Sequence, residues 1–74
     1  MLIPISFAKE GEQVSVMNIL IKDNTGKKLR EMGLASGNVV EIIKNDGDSV
    51  IVGIGESRLA LDLTLARKIM VSGV

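Results

Sequence analysis

Catalysis in this chain would have to rest on Ser, Thr, Lys, Asp and Glu, because the sequence holds no His and no Cys. No hydroxyl can be given an imidazole base. Lys9, Lys22, Lys27, Lys28, Lys44 and Lys68 all stand beside polar or turn residues, not in the buried cleft that makes a lysine basic or nucleophilic. No enzyme is expected. The same two absences remove thiolate zinc sites, disulfides and the commonest metal ligand.

Three other groupings invite chemistry. Gly53-Ile54-Gly55 opens like a phosphate-cradling fingerprint, but the sixth position is Arg58 and a strand, not a helix, is expected to follow. It reads as a strand end and turn. Asp46, Asp48 and Glu56 offer carboxylate oxygens to a hard cation, yet their loops lack the length and alternating acidic pattern of a calcium site and read as solvated turn residues. Met17, Met32 and Met70 carry thioethers suited to a soft metal, but such residues more often fill gaps in a core, and Met32 is expected to face its own helix partners. No cofactor and no metal site are expected.

The charges sum to zero, 9 Lys+Arg against 9 Asp+Glu, which argues against a nucleic-acid footprint built on phosphate neutralisation. Phe7 is the single aromatic residue, so stacking platforms for single strands and aromatic grooves for proline-rich peptides are excluded as well. Within the neutral total lies one local excess, Lys22, Lys27, Lys28 and Arg30. A solvated helix face explains it by default; docking on an acidic partner, with a faster association rate, is the functional alternative.

The elements that carry these residues are mostly short strands. Residues 14–21 begin with alternation and turn continuously apolar, predicting a strand. Residues 38–44 and 49–54 flank Asn45-Asp46-Gly47-Asp48, whose Asp-Gly step suits a tight hairpin. Gly55-Glu56-Ser57 predicts a second turn into residues 58–61, Asp62 can cap a helical turn over 63–66, and residues 69–71 form a last strand. Residues 2–7 read as an irregular strand or arm held to an edge by Pro4. One helix is predicted, over about residues 25–32, with Gly33 left-handed after it, Leu34 paired with Leu29 and Met32 on the same face as Leu29. Gly26 should weaken its first turn.

About five short strands and one helix in 74 residues predict an all-β, small closed or half-closed barrel, filled by Val40, Ile42, Val50, Val52, Leu59, Leu61, Ile69 and Val71. Surface scaling at 7.9 kDa gives roughly 4,400 Å² folded against roughly 11,000 Å² unfolded, enough for one core and one domain, residues 1–74. No apolar run approaches a membrane span and no leader-like pattern opens the chain, so a cytoplasmic protein is expected. An exposed edge strand, residues 2–7 or 69–71, would allow weak homo-oligomers.

The order of these signals resembles the FeoA family of small ferrous iron transport proteins: Gly11 before a strand, Leu29-Arg30-Glu31-Met32-Gly33-Leu34, Gly37, two apolar strands, then Arg58-Leu59-Ala60-Leu61 ahead of Ala66 and Ile69-Met70-Val71. The likeness spans about residues 5–71. It departs at Ala35-Ser36-Gly37, where the family often has a proline before the glycine. The resemblance implies an SH3-like barrel with an inserted helix, and a cytosolic accessory to FeoB, the membrane Fe²⁺ transporter with a GTP-binding domain. It supplies no catalytic or metal-binding residue. Joined to the charge pattern, it makes Lys27, Lys28, Arg30, Leu34, Ser36 and Gly37 the expected contact residues for that GTP-binding domain, with the membrane approached only through the partner. Two other roles fit the same pattern: a regulatory module like the carboxy-terminal SH3-like domain of DtxR-type iron-dependent repressors, and a small metal- or ligand-binding module.

Overall fold

The computed structural model describes residues 1–73. Six antiparallel strands form one sheet: β1 (Ile3–Pro4), β2 (Gln13–Ile19), β3 (Val39–Asn45), β4 (Ser49–Ile54), β5 (Ser57–Asp62) and β6 (Ile69–Gly73), in the order β1-β6-β2-β3-β4-β5. Helix α1 (Asn24–Glu31) joins β2 to β3, the single turn α2 (Leu63–Ala66) joins β5 to β6, and a 3-10 turn at Ile5–Phe7 follows β1.

The expected all-β class, inserted helix and amino-terminal arm at a sheet edge are present, and one expectation, that residues 69–71 could be an edge, needs correction. There are six strands, because the amino-terminal arm contributes a two-residue strand paired through Ile3 with Val71 and Pro4 with Met70. The sheet curls around its core without closing, so "barrel" describes its shape only; β1 and β5 are its two edges. Residues 69–71 are not an edge, since β6 lies between β1 and β2.

Strand parity builds the interior. Val14, Val16, Val40, Ile42, Val50, Val52, Leu61, Ile69 and Val71 are buried, joined by Ile5, Ala8, Ile21, Leu29, Leu34 and Ala66 in one cluster, with Leu59 packed partly exposed against it. The apolar run of β2 would violate alternation if it continued regularly. A bulge resolves this: Val16 pairs with Val71 and Asn18 with Met70, leaving Met17 as the extra residue and returning Ile19 to the core side.

The accessible surface, 4625 Å², matches the roughly 4,400 Å² expected of one compact domain of this mass. The hairpin between β3 and β4 turns at Gly47, whose φ of 92° is a backbone conformation that L side chains rarely adopt.

Candidate functional site

Among the described residues there is no pocket, and no group of three or more His, Cys, Asp or Glu side chains could hold a metal ion. The chemistry-bearing groupings of the sequence are absorbed by local structure. Gly53 lies in β4 opposite Arg58, and Gly55 forms the turn to β5. The Asp46 carboxylate accepts the N–H groups of Asp48 and Ser49 at 3.0 and 3.1 Å. Those two bonds, the Asp48 one foremost, hold its pKa below the ordinary carboxylate value.

The remaining candidate is the surface of α1 and the loop after it. Asp23 starts the helix, its side chain accepting the N–H of Thr25 at 3.0 Å. The helix ends as the Leu29/Leu34 pairing predicts: Leu34 N–H donates to Leu29 O at 3.0 Å and Gly33 N–H to Arg30 O at 3.1 Å, with Gly33 at φ 108°. Lys28 and Arg30 occupy the last turn, where the helix dipole favours cations.

Leu29 and Gly26 form the buried face, while Lys27, Lys28 and Arg30 are exposed. Gly26 has a role its helix propensity does not suggest. A Cβ there would overlap the carbonyl oxygen of Ile21 and stand 2.9 Å from its carbonyl carbon, so only glycine lets the first turn sit on that chain.

The loop at residues 35–38 is pinned along β2. Gly37 N–H donates to Val16 O and Val16 N–H to Asn38 O, both at 2.8 Å, and Ser36 Oγ donates to Met17 O at 2.9 Å. Asn38 Nδ2 ties the loop to the helix end through Gly33 O at 2.8 Å. Ser36 and Gly37 are therefore exposed but held, and they lie in one continuous segment with Lys27, Lys28 and Arg30.

Two expectations need correction. Leu34 is 0% exposed, so its side chain anchors the core beneath the helix end and offers no contact surface. Met32, at the helix C-cap, is 54% exposed and Met17 is 45% exposed; neither fills the core. With Val39, 49% exposed at the start of β3, they supply apolar side chains at segments bonded to this loop. Met17 escaped sequence reasoning because its orientation depends on the bulge. Val39 was legible in principle, being one step out of phase with buried Val40.

The FeoA domain family profile matches residues 3–73. The chain is similar to an Fe(2+) transport protein A of Methanocaldococcus jannaschii, 38% identical over 68 residues covering 92% of this chain and 83% of the relative. Among solved structures, the crystal structure of an iron uptake regulatory protein (FeoA) aligns at TM-score 0.85 and 31% identity, covering 100% of this chain and 99% of the other. IdeR of T. acidophilum aligns at TM-score 0.86 and 20% identity, over 99% of this chain but 34% of its own length, a likeness of fold alone. With its SH3-like sheet, its inserted helix and a family match running through nearly every residue, the chain belongs to the FeoA domain family.

Proposed function

We propose that this chain is a non-enzymatic accessory protein of ferrous iron uptake that binds the cytosolic GTP-binding domain of a FeoB-type membrane transporter. The observation that carries the contact assignment is the pinned helix and loop. Ser36 and Gly37 are exposed on a loop fastened to β2, and Lys27, Lys28 and Arg30 on the helix that Asn38 Nδ2 ties to that loop through Gly33 O, so little ordering entropy is lost when a partner docks there. Membership in the FeoA family and the similarity to an Fe(2+) transport protein A support the iron-uptake role. The basic residues attract an acidic surface and raise the association rate, while Met32 and Met17 add adaptable apolar contact at the margins.

Acting as an adaptor, the protein shifts the transporter between nucleotide-dependent conformations only by the difference in its affinity for them. The test is binding of the chain to the GTP-binding domain with a GTP analogue, with GDP and without nucleotide. Lys28→Glu with Arg30→Glu should lower stability by about 1 kcal/mol, since two cations leave the last turn of α1, and slow association by about tenfold. Unchanged association kinetics would remove this surface from the proposal.

The fold shared with IdeR supports a second reading, a regulatory module working beside a separate DNA-binding chain. Copurification with such a chain, and not with the transporter domain, would favour it.

A further inference from the structure

Strand β5 is an open sheet edge whose protection rests on two charged side chains, Arg58 and Asp62. The opposite edge, β1, is two residues long and contains Pro4, whereas β5 runs for six residues without proline, lysine or register break, every residue from Ser57 to Asp62 paired with β4. Beyond the β4 ladder, this strand is held at its far end, where Asp62 caps α2 and its carboxylate accepts Leu65 N–H at 2.9 Å.

The direction of its unpaired groups follows from the hairpin. Gly55 and Glu56 form a two-residue turn with Gly55 at φ 58°, so Ile54 and Ser57 flank the turn as a pair that exchanges both backbone hydrogen bonds. Alternation then turns Leu59 and Leu61 towards β4 as well. It leaves the N–H and C=O groups of Arg58 and Ala60 facing outward, together with the N–H of Asp62, whose carbonyl belongs to the start of α2. These three residues also carry exposed side chains, whereas Leu59 and Leu61 point to the core side.

We propose that β5 pairs with β5 of a second copy, antiparallel about a two-fold axis at Ala60. In that register Arg58 of each copy stands opposite Asp62 of the other, Ala60 faces Ala60, and Leu59 faces Leu61. The residues whose backbone groups point outward become the hydrogen-bonded pairs, as the ladder requires. Arg58 gains a cross-strand partner that its own sheet does not give it, since it lies opposite Gly53, and Asp62, opposite Ser49, pairs through the carboxylate oxygen left free by its cap bond to Leu65 N–H. A small residue at the axis lets the strands approach. The match is self-complementary, as an isologous interface must be. A six-residue edge buries less than the roughly 1,200 Å² of a stable interface, so the pair forms with rising concentration.

The chain contains no cysteine, so a single one reports cleanly. In the pair, Cα atoms opposite each other at the axis stand at a distance within the disulfide range. Ala60→Cys should cross-link under mild oxidation at least about tenfold faster than Glu56→Cys, an exposed turn position off the axis. Adding Arg58→Asp turns two attractive pairs into two repulsive ones and should slow Ala60→Cys cross-linking by about tenfold, with an unchanged circular dichroism spectrum. Equal rates for the two cysteines, or no effect of Arg58→Asp, overturn the proposal. So does a monomer at every concentration up to millimolar, whether the edge is then solvated or taken by another protein's strand.

Discussion

The hydroxyl of Ser36 donates to the carbonyl oxygen of Met17 at 2.9 Å, joining the loop after α1 to the bulged residue of β2. A bulge leaves one residue without a ladder partner, and here a side chain from nineteen residues away takes that carbonyl. The bulge and the loop therefore stabilise each other. Ser36→Ala should lower stability by about 1 kcal/mol, the usual net value of such a bond, measured by urea denaturation. If the loop is the partner surface, the same variant binds the transporter's GTP-binding domain more weakly than its small stability loss explains.

Gly26→Ala should act against its helix propensity. In an open helix the change stabilises by about 1 kcal/mol. Here the added methyl meets the backbone of Ile21, which has no rotamer to move into. A net loss of about 1–3 kcal/mol is expected, as for other overpacked sites. A rise in Tm would show the contact to be absent.

Asn45 binds the amino-terminal segment to the central hairpin. Its Nδ2 donates to Ser6 O at 2.9 Å and Ala8 O at 2.7 Å, and its backbone N–H donates to Glu10 Oε2 at 3.1 Å. Asn45→Ala should cost about 2–3 kcal/mol, since two half-buried carbonyls lose their donor. Asn45→Asp aims a carboxylate at the same carbonyls. Its stability should be lower at neutral pH than Asn45→Ala, and the gap should narrow in acid as the carboxyl gains a donor proton.

The Asp46 carboxyl titrates below its ordinary value of 3.8 because its charged form accepts the N–H groups of Asp48 and Ser49. A depressed folded pKa means that the contribution is present above 3.8 and is lost as pH falls through the lowered value. The carboxyl carbon resonance of Asp46 should show a midpoint below 3.8. The stability difference between the protein and Asp46→Ala should shrink across that window; a pH-independent difference would contradict the assignment.

Features set by neighbours along the chain are legible in the order of residues itself. Asp-Gly at Asp46-Gly47, the Asp62 cap on α2 and the Leu29/Leu34 closure around Gly33 all appear where local turn and cap chemistry puts them. The alternating positions of β3 to β6 mark the core for the same reason. The family likeness is carried by these same segments, which is why the fold class and the family are readable together.

Tertiary structure decided what depends on strands far apart in sequence. Pairing with β6 placed the bulge at Met17, turned that side chain outward and made residues 69–71 interior to the sheet. Packing drew Leu34 wholly inside and left Met32 outside, although both sit at the end of one helix. Gly26, read from sequence as a weak point, is the residue that lets α1 lie on Ile21. The sequence alone determined an all-β fold with one inserted helix, on a chain with neither His nor Cys. Which exposed residues share a surface, and that β5 is the long open edge, were set by strand order and register, because hydrogen bonds between distant segments choose among pairings that local patterns allow equally.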